Sequence, residues 1–297
     1  MNRRKFIKAG AFGLAGLSVL QSGLANCHVS LQADALVDSV KLGESGLTVS
    51  RIAMGTGTHG GNRSSDFTRM GLDRFTKLAH YAYERGIRFY DTAESYGSIP
   101  FTGNVIKSLP RKEITVLTKM WTFEDGSDRI ESVSDNVNRY LKEFNTDYID
   151  ILLMHCMTDG QWGKNRTHYM NELSKAKQAG KIRTLGVSCH DIDALREAAV
   201  NPWVEVIMAR INPFQTLMDG APDEVNEILG VAKANGKGII GMKIFGEGRN
   251  VLERERKQSI NYALTEANIH CMTLGMISAA QIDDAIEKVN NTLKIIA

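Results

Sequence analysis

The sequence predicts an α/β protein of the (β/α)8 class, a TIM barrel with an N-terminal β-hairpin cap. Three observations carry this. Eight short apolar or β-branched runs alternate with amphipathic helical stretches, the order that builds a barrel of parallel strands. The runs are apolar with little alternation, as expected for strands covered on both faces. Glycines follow the helical stretches at Arg85-Gly86, Ala179-Gly180 and Asn235-Gly236, where a left-handed residue stops a helix.

Residues 40–50 read as a hairpin, with Lys41-Leu42-Gly43, a turn at Glu44-Ser45-Gly46, and Leu47-Thr48-Val49-Ser50. Strands are expected at 51–55, 88–92, 114–119, 148–155, 184–188, 204–211, 238–244 and 269–274. Helices are expected at 72–85, 129–144, 168–179, 192–199, 223–234, 254–265 and 280–293. Leu72, Phe75, Leu78, Ala79 and Ala82 show the 3.6-residue spacing that gives each helix one apolar face. The helix after the second strand has the faintest pattern, near 103–109. The structural alternative is an open doubly wound sheet, which would carry a glycine-rich dinucleotide fingerprint after its first strand. Met54-Gly55-Thr56-Gly57-Thr58-His59-Gly60-Gly61 is glycine-rich, but no strong helix starts at its third glycine.

A chain of 297 residues can bury one large core or two smaller ones. The five prolines and the lack of a low-complexity linker favour one domain, residues 40–297. The net charge of +2, with no long basic run beyond the first residues, gives no nucleic-acid footprint. Residues 1–26 read as a removable signal. Asn2-Arg3-Arg4-Lys5-Phe6-Ile7-Lys8 precedes a short apolar Gly/Ala-rich segment and the small residues of Gly23-Leu24-Ala25. This resembles a bacterial twin-arginine export signal, which implies the translocation machinery as a partner and a periplasmic or otherwise exported location. A retained basic tail is the alternative. Leu24-Ala25-Asn26-Cys27 loosely resembles a lipoprotein box, so lipidation of Cys27 would be the one membrane link. Cys156, Cys189 and Cys271 fall on expected strands without metal-ligand spacing. They read as buried free thiols, and neither these cysteines nor His190 implies a metal.

The chemistry centres on Arg88-Phe89-Tyr90-Asp91-Thr92-Ala93-Glu94-Ser95-Tyr96-Gly97, a strand that closes on Asp91 and leads to Tyr96. A phenol, with its ordinary pKa of about 10, donates a proton readily only where a neighbouring cation stabilises the phenolate. Lys119 and His155 each close a further apolar strand. Either alone could be structural, a capped lysine or a backbone-bonded histidine. Four such residues at strand ends, where barrels of this class assemble their sites, point to one site.

The run Asp91-Thr92-Ala93-Glu94-Ser95-Tyr96-Gly97, with Lys119, His155 and Gly186-Val187-Ser188, resembles the aldo-keto reductase family from about residue 40 to the C-terminus. Met242-Lys243-Ile244-Phe245-Gly246-Glu247-Gly248 is similar to the branch that includes iron–sulfur members, but the chain lacks their cysteine clusters. The resemblance implies reduction of a small-molecule aldehyde or ketone, a sugar or other polar carbonyl among the candidates, by a nicotinamide cofactor. Tyr96 would be general acid, Lys119 would lower its pKa, Asp91 would pair with Lys119, and His155 would orient the carbonyl.

For the cofactor the resemblance implies NADP, with NAD as the alternative. Gly55 and Thr56 would lie beside the nicotinamide ribose, Ser188 at the carboxamide, and Lys243, Phe245 and Gly246 over the pyrophosphate. Met276 and Gln281 belong to the segment opening the last helix. The chain departs from the family pattern at Cys189, where an asparagine is usual. Only Ser278, Gln281 and Asp284 stand where a 2′-phosphate partner is expected. Trp121 is expected to wall an open, partly polar substrate pocket together with the loop carrying Trp162, Lys164, Asn165 and Arg166. Two other readings remain. One is an exported enzyme with a tightly bound cofactor doing transient redox on sugars, as an epimerase or lyase does. The other is a non-catalytic regulatory barrel.

Overall fold

The computed structural model describes residues 36–122 and 132–296. The export segment, Cys27 and the start of the helix expected at 129–144 lie outside them. The chain opens with strands β1 (Ser39–Lys41) and β2 (Thr48–Ser50), which pair antiparallel with Val40 opposite Val49. Then follow β3 (Ile52–Gly55), α1 (Asp66–Arg69), α2 (Leu72–Glu84), β4 (Phe89–Asp91), α3 (Ile99–Ile106), β5 (Thr115–Trp121) and α4 (Val133–Phe144). Next come β6 (Ile149–Met157), α5 (Trp162–Asn165), α6 (Thr167–Gln178), β7 (Ile182–Cys189), α7 (Ile192–Val200) and β8 (Val206–Arg210). The chain ends with α8 (Pro222–Ala234), β9 (Gly238–Met242), α9 (Glu253–Thr265), β10 (Cys271–Leu274) and α10 (Ala279–Ile296). Strands β3 to β10 close in chain order into a parallel barrel, β10 pairing with β3.

Each barrel strand divides its side chains between two cores, as the period of two requires. Ala53, Phe89, Leu117, Ile151, Leu153, Val206, Met208, Ile240, Met242 and Cys271 fill the lumen, and Leu42, Leu47 and Val49 of the hairpin join them. The hairpin is therefore a plug as well as a lid. The alternate residues, among them Met54, Tyr90, Val116, Leu152, Val187 and Ile207, pack outward against the helices.

The weak helix after β4 is real but begins earlier than expected, at Ile99. Pro100 sits in its first turn, where a missing N–H leaves no helix bond unmade. Trp162 does not belong to a polar pocket loop. It starts the short helix α5, is fully buried, and donates its indole N–H to Ala194 O at 3.1 Å. Among the described residues, no helix is long and apolar enough to cross a membrane.

Candidate active site

The lumen alternation sets the site. Following Phe89, Leu117 and Leu153 one step up their strands gives Asp91, Lys119 and His155, so all three extend the inward row at the C-terminal rim. Asp91, Lys119 and His155 are buried. Lys119 Nζ donates to Asp91 Oδ1 and, at 2.9 Å, to Thr92 O. The same ammonium lies 4.8 Å from the centroid of the Tyr96 ring. The rings of Tyr96 and His155 meet edge to face, with centroids 5.7 Å apart. The four residues singled out in the sequence thus converge.

Tyr96 is held by its loop. It ends a 3-10 turn, Glu94–Tyr96, and Gly97 follows at φ 66°. A Cβ on Gly97 would lie 2.1 Å from Arg63 O, so no other residue fits this turn. Glu94 ties the turn down, accepting from Arg63 at 2.9 Å, Arg139 at 2.6 Å and the Tyr140 hydroxyl at 2.7 Å. From the other side Gly57 lies against the ring, and a Cβ there would be 2.4 Å from Tyr96 Cε2. The glycine-rich segment after β3 is therefore a surface shaped to a phenol.

The electrostatics differ in one respect from the sequence expectation. Burial raises the Tyr96 phenol above its ordinary value; the Lys119 charge and hydrogen bond pull it down without cancelling the rise. The phenol is thus loaded with its proton at neutral pH. Burial also works against the Lys119 charge, but Asp91 and Tyr96 outweigh it and keep the ammonium protonated. Burial, then Lys119 and His190, hold the His155 imidazole well below its usual range, so it is neutral. Its Nδ1 is buried and has no hydrogen-bond partner among the described residues.

A cavity of about 290 Å³ opens beside Asp91 and Tyr96. Four of the expected cofactor residues line it: Gly55, Lys243, Phe245 and Gln281. Four others are buried away from that lining. The Thr56 hydroxyl donates to Asp91 O at 2.8 Å and lies 2.7 Å from Ser98 Oγ. Ser188 Oγ accepts from Cys156 N at 2.9 Å. Met276 is packed in the outer core, and Gly246 sits under Thr216 and Asn250. Near one end of the cavity Ser278 and Gln281 cap the start of α10, Gln281 Oε1 accepting from Ile277 N at 2.7 Å. Among the described residues Lys243 is the one lysine or arginine in the lining, and it pairs with Glu247 at 2.8 Å. Asp284 pairs with Arg256 and Lys288, away from that lining. Trp121 is 43% exposed and stands edge-on to His155 at 5.7 Å, a wall of the site outside the cavity.

Thr273 and Arg210 were not singled out in the sequence, and His190 was weighed there only as a metal ligand. Thr273 of β10 donates to Asp91 Oδ2 at 2.8 Å, so both carboxylate oxygens are engaged. Arg210 ends β8, two positions above lumen residue Met208, and His190 follows β7. Between Met154 and Met157, strand β6 carries one more residue than β7 does over the paired span, with Cys156 at φ 67°. Bulges of this kind re-aim neighbouring side chains. The Ser188 hydroxyl holds this one by accepting the Cys156 N–H. The inward period of two, counted to the end of every strand, is the signal that reaches Thr273 and Arg210.

Residues 51–295 match the model of the Aldo/keto reductase family. The chain is 25% identical to an L-galactose dehydrogenase of Arabidopsis thaliana over 288 residues, covering 84% of this chain and 86% of that one. It is 28% identical over 218 residues to an NADH-specific methylglyoxal reductase of Escherichia coli, covering 66% and 64%. Among solved structures, an aldo-keto reductase from Bacillus halodurans in its holo form superposes with a TM-score of 0.65 at 18% identity, covering 88% of this chain and 96% of that one. A barrel of this topology, with Asp91, Tyr96, Lys119 and His155 meeting at its rim and a family match spanning nearly all of it, places the chain in the aldo/keto reductase family.

Proposed function

We propose that the protein reduces an aldehyde or ketone to the alcohol with a nicotinamide cofactor. The observation that carries this is the buried pair Asp91–Lys119 facing the half-buried Tyr96, beside a neutral His155. Tyr96 donates its hydroxyl proton to the carbonyl oxygen. The phenolate left behind faces the Lys119 ammonium, whose charge Asp91 and Thr273 hold in place; donors already aimed where charge develops need no rearrangement during the reaction. His155, neutral, orients the carbonyl oxygen toward Tyr96.

The cavity suits a nicotinamide dinucleotide. Its apolar stretch, with Met208, Met242, Ile244 and Phe245, would take the ring, and Lys243 with the N-terminal turn of α10 would take the diphosphate. When bound, the reduced cofactor supplies the hydride that the carbonyl carbon receives. The family favours NADP. Because Ser278 and Gln281, and no lysine or arginine, stand where a 2′-phosphate would lie at the start of α10, discrimination against NAD is weak. Two relatives are named for a sugar and for a 2-oxoaldehyde, which supports a polar carbonyl substrate. The amino-terminal twin-arginine run supports export, with Cys27 as a site of lipidation after cleavage. An exported enzyme would keep its cofactor bound and alternate between oxidising and reducing substrates.

Replacing Tyr96 by phenylalanine tests the core of this reading. General acid catalysis contributes roughly 10²- to 10⁴-fold, so carbonyl-dependent oxidation of the reduced cofactor should fall by that factor while dinucleotide binding is kept. Near-native turnover by Tyr96→Phe would refute it.

A further inference from the structure

Beyond His155 the rim holds a second imidazole that the proton transfer does not use. The ring centroids of His155 and His190 are 6.3 Å apart and the rings are nearly perpendicular. The His190 backbone N–H donates to Met157 O at 2.8 Å, on the far side of the β6 bulge, so the bulge sets where this histidine stands relative to His155.

Arg210 donates from its guanidinium to His190 Nδ1. A guanidinium has no acceptor atom, so Nδ1 must accept. The imidazole is therefore neutral and its one proton sits on Nε2. That nitrogen has no partner among the described residues and is not sealed from solvent. Arg210 is itself fixed, donating to Leu217 O at 3.3 Å and pairing with Asp219 at 3.4 Å. Arg210 of β8 and Asp219 of the loop after it thus hold the His190 N–H donor in a set tautomer beside the carbonyl-orienting histidine. A histidine kept only for packing would need no guanidinium to choose its tautomer.

We infer that His190 binds substrate, its Nε2–H donating to an oxygen on the carbon next to the carbonyl, so that the site selects α-oxygenated carbonyl compounds such as 2-hydroxyaldehydes and 2-oxoaldehydes over simple alkyl aldehydes. This rests on the carbonyl-reductase reading. Two perpendicular imidazoles with centroids 6.3 Å apart can each reach one of two oxygens on neighbouring carbons at hydrogen-bond length. An alkyl aldehyde would take the water from Nε2–H and return nothing, and a donor left unpaired in this way disfavours the analogue that lacks the hydroxyl.

The test compares 2-hydroxypropanal with propanal, which differ by one hydroxyl, using free aldehyde concentrations in both cases. The native protein should prefer 2-hydroxypropanal by about 10- to 100-fold in kcat/KM, the range for one buried donor left unsatisfied. His190→Phe should remove that preference, raising KM for 2-hydroxypropanal by a larger factor than any change it causes with propanal. His190→Gln, which keeps an N–H, should restore part of it. Should His190→Phe fail to fold, His190→Leu serves the same comparison. Equal loss on both substrates, or no preference in the native protein, would overturn the inference. Turnover of neither substrate with either NADH or NADPH would instead overturn the reductase reading, and this inference with it.

Discussion

Gly57 lies flat against the ring of Tyr96, so close that a methyl group added to it would stand 2.4 Å from Cε2. The contact helps to fix where the phenol stands. Gly57→Ala must therefore push the ring, the backbone or both. A misplacement of about 1 Å can lower turnover roughly 10²-fold. We expect Gly57→Ala to lose about that much kcat for carbonyl reduction with a melting temperature close to native; steady-state kinetics beside a thermal melt would check it.

Lys119 and Asp91 form a buried pair with side-chain exposures of 1% and 6%. Removing one partner strands the other charge. Lys119→Met should destabilise the fold by about 3–5 kcal/mol and abolish reduction. Adding Asp91→Asn to it should return part of the stability and none of the activity. Urea unfolding of the two single variants and the double variant measures the coupling.

The pH dependence of reduction follows from Tyr96. The group must be protonated to act, and burial raises its pKa above the ordinary phenol value despite Lys119. Activity is then present below that pKa and lost as pH rises through it. His155 and His190 stay neutral, so they add no limb near pH 6–7. A profile of kcat/KM flat from about pH 6 to 9, given the ordinary phenol value of about 10, is expected. A sigmoid centred near 6.5 would contradict it.

Stability should respond to acid in the opposite region. Burial, then neighbouring cations, depress His190 to about 3, and burial, Lys119 and His190 carry His155 well below the usual range. The unfolded chain takes up these protons at about pH 6.5 while the folded chain does not. Stability is thus full above that value and falls as pH drops through it. Denaturation at pH 7.5 and 5 should show this fall, and His190→Gln should reduce it.

Lys243 is the one lysine or arginine among the described residues of the cavity lining, and a charge-assisted hydrogen bond contributes about 1.5–3 kcal/mol. Lys243→Met should weaken dinucleotide binding about 10- to 100-fold, with NAD and NADP affected to a similar degree. Fluorescence titration with each would show it. A loss confined to NADP would place Lys243 at the 2′-phosphate instead.

Asp91, Lys119 and His155 were legible in the sequence because a charged or imidazole group closing an apolar strand is hard to explain otherwise. Tyr96 was legible because it needed the cation those strands supply. The barrel was legible from the alternation of runs. What escaped was whatever depended on how strands sit side by side. Ser188 and Thr56 stand at strand ends as expected, but their hydroxyls are taken up by the Cys156 N–H and by Asp91 O, pairings between strands far apart in the chain. Trp162 read as a pocket residue because its loop is polar, while the indole itself is buried against α7. Thr273 carries no charge and gave no signal of its own until Asp91 was seen to need a second donor.

The hairpin side chains Leu42, Leu47 and Val49 belong to the same packed column as the lumen residues. The barrel is therefore a cup with a solid floor, and everything that reacts must come and go over one brim. In the proposed reaction dinucleotide and carbonyl would share that brim, one along Lys243 and α10, the other by His155 and Trp121. Whichever settles deeper has to arrive first and depart last.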